Sequence, residues 1–233
     1  MDTLLGFWDR IEDFFTGKSN PKLSEFQQKK LAHEFDLFFD LNKDGCLEWK
    51  DFELAQKNIC QLSGWKEGTA KYKAVHELFT SLWRNLQATG DGDSDGAVSK
   101  QEWYSLWESI MKAKYLHERE MKRREKKKPD ELEELDVLPP DDFVPQWLHQ
   151  YIEYKFNLYD RAGDSMIDEE EFEYTLSLFN INSKDCRAAF KMMSQAGERK
   201  IDRPYFRQLA LEFYLSDEAG DLGNFINGVL LYD

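Results

Sequence analysis

The chain has 233 residues, and 45 acidic against 31 basic side chains leave a formal charge of −14, a balance that repels a phosphate backbone and argues against nucleic-acid binding. Hydrophobic residues make up 41% and aromatics 15%, too rich in core formers for a disordered acidic chain. Cys46, Cys60 and Cys186 are odd in number and scattered, which fits reduced thiols rather than disulfides, and no apolar run reaches the roughly 18 residues of a spanning helix, so a soluble intracellular protein is expected.

The first pattern along the chain is an apolar stripe at helical spacing, Leu4, Phe7, Trp8, Ile11, Phe14 and Phe15. Its opposite face carries Asp2, Asp9, Glu12 and Asp13 with only Arg10. Interfacial helices favour Lys and Arg, so docking on the protein's own surface is expected. Ser24 with Gln27 reads as a capping box, opening a helix that contains Leu31, Phe35, Phe38 and Phe39. After residues 40–51, DLNKDGCLEWKD, and 91–102, DGDSDGAVSKQE, come Trp103, Leu106, Trp107 and Ile110, again at helical spacing. The run Lys122 to Lys128, with six basic residues in seven, precedes Pro129, an acidic stretch and Pro139-Pro140. It reads as a solvated helix end leading into a polar connection. Phe156, Leu158 and Tyr159 precede residues 160–171, DRAGDSMIDEEE, and Ser183 is read as the N-cap of a helix reaching Met193, just before 194–205, SQAGERKIDRPY. Phe225, Ile226, Val229, Leu230 and Leu231 are expected to fill a groove in the C-terminal half.

The four twelve-residue segments are copies of one unit. Position 8 is Leu47, Val98, Ile167 or Ile201, and position 13 is Phe52, Trp103, Phe172 or Phe206. Helical patterns flank each copy, so the unit is helix, loop, helix, and the loop strands should pair as Leu47 with Val98 and the third copy with the fourth. Alternating carboxylates around a sharp turn suit a hard cation such as Ca2+, which takes six to eight oxygens. In the second loop Asp91, Asp93 and Asp95 stand at positions 1, 3 and 5, Gly96 at the turn, Ala97 offers its carbonyl, and Glu102 closes the site, matching D-x-[DN]-x-[DN]-G-x5-E in full. The first loop offers Asp40, Asn42, Asp44, the Cys46 carbonyl and Glu48, but closes with Asp51. One missing methylene makes bidentate closure harder and favours competition by Mg2+. The third loop keeps Asp160, Asp164, the Met166 carbonyl, Asp168 and Glu171, with Ala162 at position 3 and Ser165 at the turn. A water must replace the missing ligand, and a non-glycine residue at positive φ costs roughly 1 kcal/mol. The fourth loop, with Ser194, Ala196, Arg199, Lys200 and Tyr205, cannot hold a divalent cation and survives as a structural partner.

These loops, and especially FFDLNKDGCLEWKDFELA, DSMIDEEEF and SKDCRAAF, resemble the EF-hand superfamily, and more narrowly the calexcitins and invertebrate sarcoplasmic calcium-binding proteins. The resemblance spans roughly Leu23 to Leu215 and implies an all-α fold: a compact bundle of two EF-hand pairs, metal in the first three hands and an empty fourth. It also implies cytosolic Ca2+ signalling or buffering. The N-terminal extension, the charged linker and Ala162 depart from the family pattern. The organisation expected is an extension over 1–20, a first hand pair over 21–116, a linker over 117–142, a second pair over 143–215 and a tail over 216–233. His33, His76, His117 and His149 are dispersed without nucleophile, phosphate loop or zinc spacing, so no catalytic site is expected. The partners expected are calcium ions, with a protein or membrane-channel target if the chain is a sensor or adaptor acting at a membrane, and the chain should be monomeric. A coelenterazine-type photoprotein is the least favoured alternative, because those proteins use hands one, three and four.

Overall fold

Residues 22–62, 64–125 and 141–229 are described in the computed structural model. The stripe from Leu4 to Phe15, most of the charged connection, and Leu230 and Leu231 lie outside the described residues. Eight α-helices run along them: α1 (Glu25–Glu34), α2 (Trp49–Leu62), α3 (Ala70–Gly90), α4 (Lys100–Glu125), α5 (Gln146–Tyr159), α6 (Glu169–Ser177), α7 (Ser183–Met193) and α8 (Arg203–Leu215). The all-α expectation therefore holds, with four two-residue strands among the described residues, β1 (Cys46–Leu47), β2 (Val98–Ser99), β3 (Met166–Ile167) and β4 (Ile201–Asp202). Strands β1 and β2 pair antiparallel with Leu47 opposite Val98, and β3 and β4 with Ile167 opposite Ile201. Loops one and two are thus tied back to back, as are loops three and four.

Helix starts follow the acceptors that the sequence supplies. Ser24 and Gln27 form the reciprocal capping box at α1. At α7 the cap is Asn182, whose side chain accepts from the Asp185 amide, and Ser183 is already helical. The expectation at Ser183 is corrected by one residue, because two adjacent residues can both cap and the earlier one reaches the N3 amide. Helix α4 runs on to Glu125 and carries the basic residues from Lys122 to Arg124 in its last turn, where cations oppose the negative end of the helix dipole.

Both hand pairs share one hydrophobic core. Phe35, Phe39, Phe52, Trp103 and Trp107 from the first pair join Trp147, Tyr151, Phe156, Phe206 and Tyr214 from the second in a single buried cluster. Trp107 stacks on Tyr214 at 5.2 Å, and the Trp103 indole donates to the Leu31 carbonyl at 3.0 Å. Each fully buried Phe or Leu contributes roughly 1.5–3 kcal/mol relative to exposure. The tail folds back as a 3-10 turn, Leu222–Phe225, against α8 and α7, and Ile226 is fully buried. Gly223 is required there, since a Cβ would overlap the Leu209 carbonyl oxygen and the Glu212 side chain. A buried ion pair joins the remote parts of the chain. The Lys155 ammonium lies 3.0 Å from Glu34 and donates to Asn227 at 2.7 Å, while the Tyr151 and Tyr214 hydroxyls donate to the same Glu34 carboxylate.

Candidate metal centres

The first carboxylate of each acidic loop shapes the turn that follows it. Asp40 accepts from the amides of Asp44 and Gly45, Asp91 from Asp95 and Gly96, and Asp160 from Gly163, Asp164 and Ser165, all at 2.8–3.1 Å. These bonds bend the backbone so that positions 4 and 6 both lie at positive φ. In the first loop they are Lys43 and Gly45, in the second Ser94 and Gly96, and in the third Gly163 and Ser165. The third loop therefore carries its glycine at position 4 instead of 6. Ser165 does take the expected left-handed conformation, at φ 69°, but at these two positions each loop bears one glycine and one strained residue. The interchange keeps the loop shape and is invisible to a pattern that asks for glycine at position 6 alone.

The closing residue is set by the helix that follows. In the third loop Asp168 and Glu171 form a reciprocal capping box at α6, and in the second Ser99 and Glu102 exchange the same bonds at 2.9 and 3.3 Å. The carboxylate at position 12 is thereby swung across the loop, where its other oxygen accepts from Gly92 in the second loop and Ala162 in the third, at 2.8 and 2.7 Å. Asp51 spans the first loop between the amides of Asn42 and Glu48 at 3.4 and 3.0 Å, a looser strap from a shorter side chain. Burial pushes the Asp51 carboxyl up, whereas the hydrogen bonds from Ser99 hold Glu102 below the usual carboxylate range.

Asp91, Asp93 and Asp95 are, among the described residues, the acidic cluster whose carboxylate oxygens all approach within 4.8 Å. Glu102 reaches across the same loop to the Gly92 amide, and Ala97 directly precedes β2. The donor set is oxygen throughout and fits a hard cation. In the first loop Lys50 lies 2.7 Å from Asp44 and 2.6 Å from Glu48, bridging the two carboxylates and holding Asp44 below the carboxylate range. Nothing in the ligand pattern marks Lys50, since position 11 carries no ligand. Cys46 and Met166, the position-7 residues, begin β1 and β3. In the third loop Asp164 accepts from the Met166 amide at 2.9 Å, and Ala162 contributes only its backbone. The fourth loop is closed by protein groups instead: the Tyr205 hydroxyl donates to the Met193 carbonyl at 2.9 Å, and the Arg199 guanidinium covers the Tyr205 ring at 3.5 Å.

No family model matches the chain. It is 27% identical over 207 residues to sarcoplasmic calcium-binding proteins I, III and IV of Branchiostoma lanceolatum, a match that covers 88% of this chain and 98% of the relative. It is also 27% identical over 228 residues to calexcitin-1 of Caenorhabditis elegans, covering 94% of each. Among solved structures, a sarcoplasmic calcium-binding protein from amphioxus superposes with a TM-score of 0.70 at 24% identity, over 89% of this chain and all of the other. Fold and sequence thus bear out the resemblance that the loops carry: the chain is similar in sequence to sarcoplasmic calcium-binding proteins and to calexcitin, and it shares the fold of the amphioxus protein.

Proposed function

We propose that the chain binds Ca2+ in its first three loops and acts as a cytoplasmic calcium buffer, a binding protein with no catalytic role. The observation that carries this reading is the second loop, where three aspartates converge and Glu102 is poised to close with both oxygens. The names of the relatives, sarcoplasmic calcium-binding proteins, support the same ion. Ligands are Asp40, Asn42, Asp44, the Cys46 carbonyl and Asp51; Asp91, Asp93, Asp95, the Ala97 carbonyl and Glu102; and Asp160, Asp164, the Met166 carbonyl and Glu171. Mg2+ competes in the first loop, where the closing side chain is short. Three ions would reduce the net charge from −14 to roughly −8 and relieve the repulsion among the carboxylates. The hand pairs over 21–116 and 143–215 are the functional units, joined by 117–142.

Buffering is favoured over the sensing of a protein or membrane-channel target by the tail. Ile226 is buried and the turn before it packs on α7 and α8, so the surface a target helix would use is already covered. Calorimetric titration of the wild type beside Asp91→Ala, Asp40→Ala and Asp160→Ala tests the reading. Each substitution should remove one calcium site; absence of binding below millimolar Ca2+ would defeat it.

A further inference from the structure

A cavity of about 380 Å³ lies between the two hand pairs, directly beneath the first loop. Phe38, Phe39, Phe52, Phe79, Tyr154 and Phe179 line it. The rings stand at tilted and edge-on angles, as Phe38 to Phe179 at 4.6 Å and Phe79 to Tyr154 at 5.1 Å, an arrangement that accepts a further ring. Of the two charged lining residues, Lys155 is paired with Glu34 and Asp51 accepts from the loop amides of Asn42 and Glu48. The hydroxyl of Tyr154 has no hydrogen-bond partner among the described residues. Volume and lining are those of a small-molecule site.

Both ends of the first loop are built into these walls. Asp40 is bracketed by Phe39 and Leu41, and Asp51, itself a lining residue, is followed by Phe52. The helix entering the loop ends in a π-turn, Phe35–Phe39, whose last bond runs from the Asp40 amide to the Phe35 carbonyl at 2.8 Å, and such turns recur at functional sites. We infer that this cavity binds an uncharged aromatic small molecule, and that its occupancy is coupled to the ion in the first loop through Phe39–Asp40 and Asp51–Phe52. The coupling rests on the proposed ion binding, whereas the cavity does not.

The test is titration of the full chain with N-phenyl-1-naphthylamine, an uncharged fluorescent probe, with calcium and with chelator, beside calorimetry of calcium binding. One saturable site is expected, weakened at least tenfold by Ala55→Phe and by Ile59→Phe, which fill the cavity, while calcium binding at the second loop is unchanged. Calcium should alter probe affinity fivefold or more, and the probe should alter first-loop calcium affinity by the same factor, as linkage requires. Probe binding indifferent to both filling substitutions would overturn the cavity assignment, and so would binding that begins only when residues 1–20 are deleted, since the chain's own apolar stripe would then be the occupant. Equal probe affinity with and without calcium, while calorimetry shows the first loop filled, would overturn the coupling. A calorimetric blank would overturn the ion reading and the coupling with it, and leave the probe isotherm standing.

Discussion

Ser165 holds a left-handed backbone that glycine adopts at no steric cost. Ser165→Gly should therefore raise thermal stability by roughly 1 kcal/mol, read as an increase in melting temperature with the third loop's calcium stoichiometry retained. A lower melting temperature would mean that the Ser165 side chain makes a compensating contact. Asp51→Glu restores the missing methylene and should tighten calcium at the first loop roughly tenfold, about 1.4 kcal/mol, while weakening Mg2+ competition; calorimetry in both ions checks it. A candidate ligand could be proposed position by position at this scale because coordination chemistry restricts residue types. Gly163 was not, because its role depends on how two left-handed residues share one turn, and Lys50 was not, because its carboxylate partners are brought to it only by folding.

Helices carry the next set of effects. His33 on α1 and His149 on α5 are half-buried, and both imidazoles are pushed below their usual value, chiefly by burial, with the Arg207 guanidinium adding to the effect at His149. The unfolded chain then binds more protons than the folded one in the window below about pH 6.5. Stability from these two groups is complete above that pH and is lost as pH falls through the folded values. In chelator, melting temperatures should drop more steeply between pH 7.5 and 5.5 for the wild type than for the His33→Gln, His149→Gln double variant; parallel curves would refute this. Helix boundaries were readable wherever one capping residue stood alone, as at Ser24. They slipped where Asn182 and Ser183 stood side by side, since both side chains suit the role and only geometry chooses between them. The capping boxes at Asp168–Glu171 and Ser99–Glu102 belong to this scale as well, because the same carboxylate starts a helix and closes a loop.

Across the whole molecule, paired loops followed from the repeated aliphatic at position 8, and Leu47 opposite Val98 and Ile167 opposite Ile201 fall where that repeat puts them. The polar centre did not follow from pattern. Glu34 and Lys155 look like solvent-facing members of amphipathic helices, and their partners are separated by 72 to 193 residues. Removing one member of a buried ion pair leaves the other uncompensated. Lys155→Met should cost about 3 kcal/mol by chemical denaturation, and adding Glu34→Gln should recover part of that loss. A neutral effect of the single substitution would show that the tyrosine hydroxyls and the Asn227 amide satisfy Glu34 without it.

Because Asn227 clasps Lys155 and Glu34 together, the interior network can be completed only after Asn227 has been made. At roughly 5–20 residues per second, several seconds separate the emergence of Lys155 from that of Asn227. Throughout that interval the nascent chain carries a carboxylate and an ammonium destined for the interior without their final amide, so the last locking step waits for Asn227 to emerge from the ribosome.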